Sequence, residues 1–228
     1  MVTTTKEKFR IYAPIVISNL QSQISILDTL YRNNENYLNE HLEIDTQKLI
    51  DDYNSNHKLH TNEELEEAEF FAQYVNDFFS KSFVTRDFLS QYIIVACFSL
   101  YEKGIKKILS LTDIFDIKGK TKTNVNMNGK SKKLSLDDCF KKVVMESLLN
   151  DIFNISYSNL NESKLVEELR CLNNDIKHNG KVREELAKVN NKWQEGQLIG
   201  NVYEDFNRLK DAPENFLNDL ITKLSPQI

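Results

Sequence analysis

Between Arg170 and His178 the chain spaces a guanidinium, two amides and an imidazole along a stretch with helical periodicity. A helix turns by about 100° per residue, so with Arg170 at zero Asn174 falls near about 40° and His178 near about 80°. Lys177 falls near about −20° and Asn173 near about −60° on the same scale. Leu165, Leu169, Leu172 and Ile176 gather between about 200° and about 260°. The leucines would hold this helix to a core, while the polar groups line another surface. Those groups suit phosphodiester chemistry. An arginine fork grips phosphate oxygens. A histidine titrates near neutral pH, so it can take a proton from a ribose 2′-OH or give one to a leaving oxygen. An asparagine can orient either partner, and no metal is required. The same residues also admit a plain reading. Cations are favoured at a helix C-terminus, His178 stands just before an Asn179-Gly180 stop, and Arg170 could pair with Glu167.

The elements that must carry these residues read as helices almost throughout. Ile17, Leu20, Ile24, Leu27 and Tyr31 form one stripe, with Pro14 in a first turn or at a kink, and the Asn-rich stretch 33–36 weakening the helix. This stripe could serve a partner helix, although packing within the chain is favoured. A short helix follows around Leu38, Leu42, Leu49 and Ile50, then a polar loop over 53–60. Thr61 and Glu64 make a capping box, and Phe70, Phe71, Tyr74, Val75, Phe78 and Phe79 form the buried side of the helix it opens. A break is expected at Ser80 to Val84. The next helix covers roughly 86–111 and is apolar all round at Tyr92–Phe98, which makes it the central one. Residues 113–134 read as a long loop. Ser135 caps a helix to about Phe153, Glu162–His178 is the polar-striped helix, 181–190 holds a short one, and Val202–Leu224 is the last, dented at Pro213.

Composition narrows the function classes. Only 6 Gly and 3 Pro occur in 228 residues, which argues against all-β folds and phosphate-loop α/β folds. The net charge of −5 and pI of about 5.5 exclude a protein that coats nucleic acid through overall charge. From Glu102 to Lys133, however, nine lysines stand against three acids. Mean hydropathy is −0.48, and the apolar run Tyr92–Leu100 is short, so no membrane span is expected. The three cysteines, Cys97, Cys139 and Cys171, read as reduced thiols of a cytoplasmic protein. His57 and His60 lie in a polar loop with no nearby ligands for a metal. Cys171 beside Arg170 could have a lowered pKa, but with no Cys-His arrangement to use it a thiol nucleophile is not expected.

The run Glu168-Leu169-Arg170…Asn174…Lys177-His178-Asn179-Gly180 resembles the signature helix of the HEPN superfamily. Ser99-Leu100-Tyr101-Glu102-Lys103…Ile105…Ile108-Leu109 resembles the first core helix of that fold. Trp193, Gly196 and Val202 to Leu224 resemble its closing part. The resemblance covers about residues 85–225. The usual motif places four to six residues between Arg and His and a polar residue after the Arg; here seven intervene and Cys171 follows. Forms paired with a nucleotidyltransferase antitoxin carry Tyr two residues after the His, where this chain has Gly180, so that pairing is not expected.

The expectation is an all-α protein: an up-down HEPN-like bundle over 84–228 with a helical extension over 1–83. The resemblance implies a homodimeric, metal-independent RNA endonuclease without cofactor, acting as a toxin or anti-phage effector and leaving 2′,3′-cyclic phosphate ends. His178 would be the general acid/base, Arg170 would hold the phosphate and Asn174 would orient substrate. Lys177, Asn173, Glu102, Lys130, Lys132 and Lys133 are the expected substrate-binding residues. Glu102 would reach Arg170 or stand as an ordinary helix residue, and the lysines would grip RNA or form a merely solvated loop. The rival is a non-catalytic module of the same fold that binds RNA, a nucleotide or a protein partner such as an antitoxin.

Overall fold

The computed structural model describes the backbone of residues 4–56 and 62–228, and the side chains of all of these except 42–46, 49–50, 52–56, 62–71 and 74–82. Thr61, His57, His60 and the aromatic run expected to be buried at Phe70–Phe79 lie outside what is described.

The described residues form an all-α protein. Two long helices come first, α1 (Thr5–Asn56) and α2 (Asn62–Ser110). They run antiparallel: Asn39 of α1 meets Arg86 of α2, and Val16 lies beside Gly104. A capping box opens α1. The Glu7 amide donates to Thr4 Oγ1 at 3.3 Å, and Glu7 Oε2 accepts from the Thr4 amide at 2.9 Å. A small antiparallel hairpin follows, β1 (Val125–Met127) and β2 (Lys130–Lys132). Then come α3 (Lys142–Phe153), α4 (Ser163–His178), α5 (Glu184–Val189), α6 (Tyr203–Leu209) and α7 (Ala212–Leu224).

The core lies where α2, α4 and α7 meet, with α1 and α3 against them. Ile94, Phe98, Tyr101 and Ile105 of α2 are buried with Leu169 and Leu172 of α4 and Phe216, Leu217 and Leu220 of α7. Tyr101 and Tyr157 both pack on the Phe216 ring, at 5.7 and 5.4 Å between centroids. At Gly104 a Cβ would come within 2.8 Å of Leu217 Cδ1, so the glycine lets α7 approach α2.

Several elements differ from the sequence expectation. Pro14 sits in the interior of α1, which also runs through Asn33–Asn36 without ending. No break occurs at Ser80–Val84; α2 is continuous there, so the expected boundary between 83 and 84 falls inside a helix. Phe9, Ala13, Ile17, Leu20, Ile24 and Tyr31 belong to the same core as the rest, so this stripe packs within the chain. The 113–134 segment contains the β-hairpin, turned by Asn128 and Gly129, both with positive φ. That Asn-Gly pair is a hairpin signal the loop reading passed over. Ser135 caps only a 3-10 turn over Leu136–Asp138, and α3 begins at Lys142. The last expected helix is two, α6 and α7. By length and composition Phe83–Ser110 suffices to cross a bilayer, contrary to the expectation from its short apolar run; a core helix has the same property, and Ile93, Ile94, Cys97 and Phe98 are buried in this fold.

Polar contacts seat α1 on α6. Tyr31 stacks on Tyr203 with centroids 3.9 Å apart. The Asp28 carboxylate accepts from the Tyr203 hydroxyl at 2.8 Å and from Lys210 Nζ at 2.9 Å, and also pairs with Arg32. Burial pushes the Asp28 pKa up, but the hydrogen bonds from Lys210, Arg32 and Tyr203 outweigh it and bring it to about 2. A depressed folded pKa gives stability that is complete above the unfolded value of 3.8 and disappears as pH falls through about 2. Asp28→Asn should therefore lower the unfolding free energy by about 1 kcal/mol at neutral pH, with the gap to wild type closing in strong acid. Urea titrations across that range check this, and a pH-independent gap would refute the linkage.

Candidate functional site

The polar-striped helix is α4, and it is enclosed on more sides than its leucine stripe suggests. Val166, Glu167, Glu168, Leu169, Cys171, Leu172, Asn173 and Asp175 are all buried. A helix buried on its polar side must satisfy its charges, and α4 does so with the chain that follows it. Asp175 accepts from the Arg183 backbone N at 2.8 Å and from its guanidinium. Glu168 takes two bonds from Arg208, one from Trp193 Nε1 at 2.8 Å and one from Asn190 at 3.0 Å. Asp205 adds contacts to Arg208 and Lys192. Burial raises the Glu168 pKa, but the donors from Arg208, Trp193 and Asn190 outweigh it, so it titrates below an ordinary glutamate. Residue order alone does not mark Arg208, Asp205 and Lys192: Arg208 stands 40 residues from Glu168 and Lys192 stands 13 from Asp205, while the Asp205–Arg208 pair, three apart, is by itself an ordinary helix-surface spacing.

Arg170 lies within a similar cluster. Its Nε and Nη2 donate to Glu167 at 3.0 and 2.9 Å, and Nη2 also reaches Glu185 and, at 3.3 Å, Cys171 Sγ. Its side chain is 13% exposed. Burial opposes its charge, yet the bonds to Glu167 and Glu185 and the field of Cys171 and Glu167 raise its pKa above the ordinary arginine value. Of the two readings of Arg170, the structure has the pairing with Glu167, and Glu185 adds a second carboxylate, so the guanidinium does not stand open. Cys171 is corrected too. Burial outweighs Arg170 and pushes the thiol up to about 12, away from a thiolate. Glu167, Cys171 and Glu185 offer ligand atoms within 4.8 Å of one another. The Arg170 guanidinium bonds all three, so it stands where a cation would, and the protonated thiol is a poor ligand.

The other expected residues separate. Asn173 is buried at 2% exposure, which seals it from substrate; its Nδ2 donates to Asn174 Oδ1 at 3.2 Å and its Oδ1 has no partner. Asn174 is half-buried, and Lys177 and His178 are exposed in the last turn of α4. His178 has no hydrogen bond or ion pair among the described residues. It stands eight residues beyond Arg170, roughly 12 Å along the axis. Glu102 pairs with Lys106 at 2.8 Å rather than with Arg170. Lys130, Lys132 and Lys133 are exposed on the hairpin.

His178 and those lysines lie at opposite ends of the bundle. Gly180, just past α4, accepts from the Ile199 amide, and the Ile199 carbonyl accepts from Gln91 of α2. The hairpin adjoins the other end of α2, where Lys106 meets Asp137 at 3.4 Å and Lys120 bridges to Ser135. Fifteen residues of α2 separate these points, roughly 22 Å of helix. A cleft of about 430 Å³ between the hairpin and α3 is lined by Asn126, Asn128, Asn150, Glu146 and Asp151. Its carboxylates oppose phosphate. A second cleft of about 290 Å³ lies at Ser25, Asp28 and Lys210. Neither is lined by Arg170 or His178.

The two arginine clusters should respond differently to neutralisation. Glu168→Gln leaves Arg208 with only Asp205 as a carboxylate partner among the described residues and puts a buried amide where four donors converge, and should cost about 2 kcal/mol. Glu185→Gln, at a side chain 54% exposed, should cost less than about 1 kcal/mol. Urea denaturation of both variants checks the ordering, and equal costs would contradict it.

No family model matches the chain, nor does any curated protein or solved structure.

Proposed function

We propose that the chain is a HEPN-like helical module that binds RNA without cutting it. One observation supports this reading above the others: the hairpin gathers six exposed lysines, five of them outside any ion pair among the described residues, with Asp113, Asp116 and Asp138 as the acids nearby. Lys118, Lys120, Lys122, Lys130, Lys132 and Lys133 are all exposed around β1 and β2. Lys122 pairs with Asp113, while the other five form no ion pair among the described residues. Lys130 and Lys132 alternate with Ser131, so both stand on one face of β2. Such a cluster on a protein of net charge −5 makes a local site for a polyanion rather than a general coat. Arg170, the expected phosphate ligand, is held by two carboxylates and stands apart from His178. That arrangement favours binding over cleavage.

The second reading is the metal-independent endonuclease, a toxin or anti-phage effector. The exposed, unpaired His178, one turn beyond Asn174, is the feature that favours it. One experiment separates the two. Fluorescence anisotropy with a labelled single-stranded oligouridylate should show salt-sensitive binding. Replacing Lys130, Lys132 and Lys133 with alanine should weaken it at least about tenfold and reduce the slope of log K against log salt by about 2. His178→Ala should bind as wild type does, and the RNA should stay intact with EDTA present. Equal affinity of the triple variant would reject the lysine hairpin as the RNA site. Cleavage by wild type that disappears in His178→Ala would install the nuclease reading instead.

A further inference from the structure

Helix α1 has two apolar faces. Phe9, Ala13, Ile17, Leu20, Ile24 and Tyr31 are buried against the bundle. On the opposite side, Ile11, Tyr12, Ile15, Ile26, Leu30 and Tyr37 are each about half exposed. With Ile11 at zero, all six fall within a sector of about 100°, centred roughly 150° from the buried face. The remaining residues of this sector between Ile11 and Tyr37 are Asn19, Ser22, Thr29 and Asn33. The stripe therefore carries no charge. A solvated helix face is ordinarily polar and charged, and a long apolar stripe of this kind marks a contact surface.

Its spacing identifies the occupant. Positions 11, 15, 19, 22, 26 and 30 are separated by four, four, three, four and four residues. The pattern is the same from either end. Laid antiparallel on a copy of itself, Ile11 meets Leu30, Ile15 meets Ile26, and Asn19 meets Ser22. Ile11, Ile15, Ile26 and Leu30 thus face apolar residues, Tyr12 lies opposite Thr29 and Tyr37 opposite Thr4, and the polar pair meets at the centre, where a buried amide and hydroxyl set register. Isologous two-fold contacts demand this self-complementarity. The repeat of eleven residues drifts by only about 20° each time, which gives a helix pair a shallow right-handed coil. A parallel pairing would oppose Lys8 to Lys8 and align the helix dipoles; the antiparallel one sets Lys8 against Asn33. Six large side chains at half exposure offer about 600 Å², close to the roughly 800 Å² per partner of a standard interface. The other exposed stripe, Val84, Phe88 and Tyr92 on α2, is shorter and has no such symmetry.

We infer that two copies of this chain associate through the exposed face of α1 in an antiparallel helix pair. The pairing is independent of RNA binding and of the chemistry at α4. Sedimentation equilibrium should show the mass rising with concentration from 26.6 kDa toward twice that value. Ile15→Lys and Ile26→Lys change side chains already open to water in one copy. Each should keep the wild-type circular dichroism and Tm at low concentration while weakening association at least about tenfold. Orientation is read by disulfide trapping, with the three native cysteines buried. The double variant Ile11→Cys/Leu30→Cys should give covalent dimers, and neither single variant should. A monomer at every concentration, association indifferent to the two lysines, or cross-linking by Ile11→Cys alone would each overturn the inference.

Discussion

The fold depends on a carboxylate buried in the middle of α4. Removing Glu168 from water costs several kcal/mol unless donors replace the hydration. Four hydrogen bonds do so, from Arg208, Trp193 and Asn190. These donors come from the chain after α4, so one charge gathers α6 and the segment that follows α5 around it. Arg208 is in turn shared with Asp205, which holds Lys192. Through α6 the order reaches α1, because Tyr203 and Lys210 hold Asp28. A buried anion thus links the first helix to the middle of the chain.

The same rule decides where positive charge is free to act. Arg170 lies close to carboxylates in a poorly hydrated region, where pairing is strong. Glu167 and Glu185 neutralise it and leave little field for a ligand. The hairpin lysines stand in water, where Asp113, Asp116 and Asp138 offset only part of their charge, so the surplus remains available to an incoming polyanion. His178 is exposed at the opposite end of the bundle, past the last turn that α4 packs. The exposed imidazole and the exposed lysines are thus set apart by about 22 Å of α2.

Much of the fold was legible in residue order. The stripe Ile17–Tyr31 packs inward, and α4 ends at Asn179-Gly180 as a helix-stop pair dictates; the run Tyr92–Phe98 enters the core through Ile93, Ile94, Cys97 and Phe98 but is not enclosed all round, because Tyr92 faces solvent. The misplaced break at Ser80–Val84 and the overlooked turn at Asn128-Gly129 are opposite errors. At the first, weak local preference yields to continuation of a helix packed on its neighbour. At the second, a local turn signal was present among polar residues and outweighed by their lack of periodicity. The site was less legible. A helical wheel places Arg170, Asn174 and His178 on one side, but it does not include Glu185 or Arg208.

The sequence by itself determined the all-α class, the leucine face of α4, the excess of lysines over 102–133 and the palindromic apolar spacing on α1. Each follows from periodicity or composition within one segment. Only tertiary structure decided that Arg170 is neutralised, that Asn173 is sealed, and that His178 lies far from the hairpin lysines. Those outcomes depend on which distant segments fold against α4, because charges and burial are set by neighbours in space rather than by neighbours in the chain.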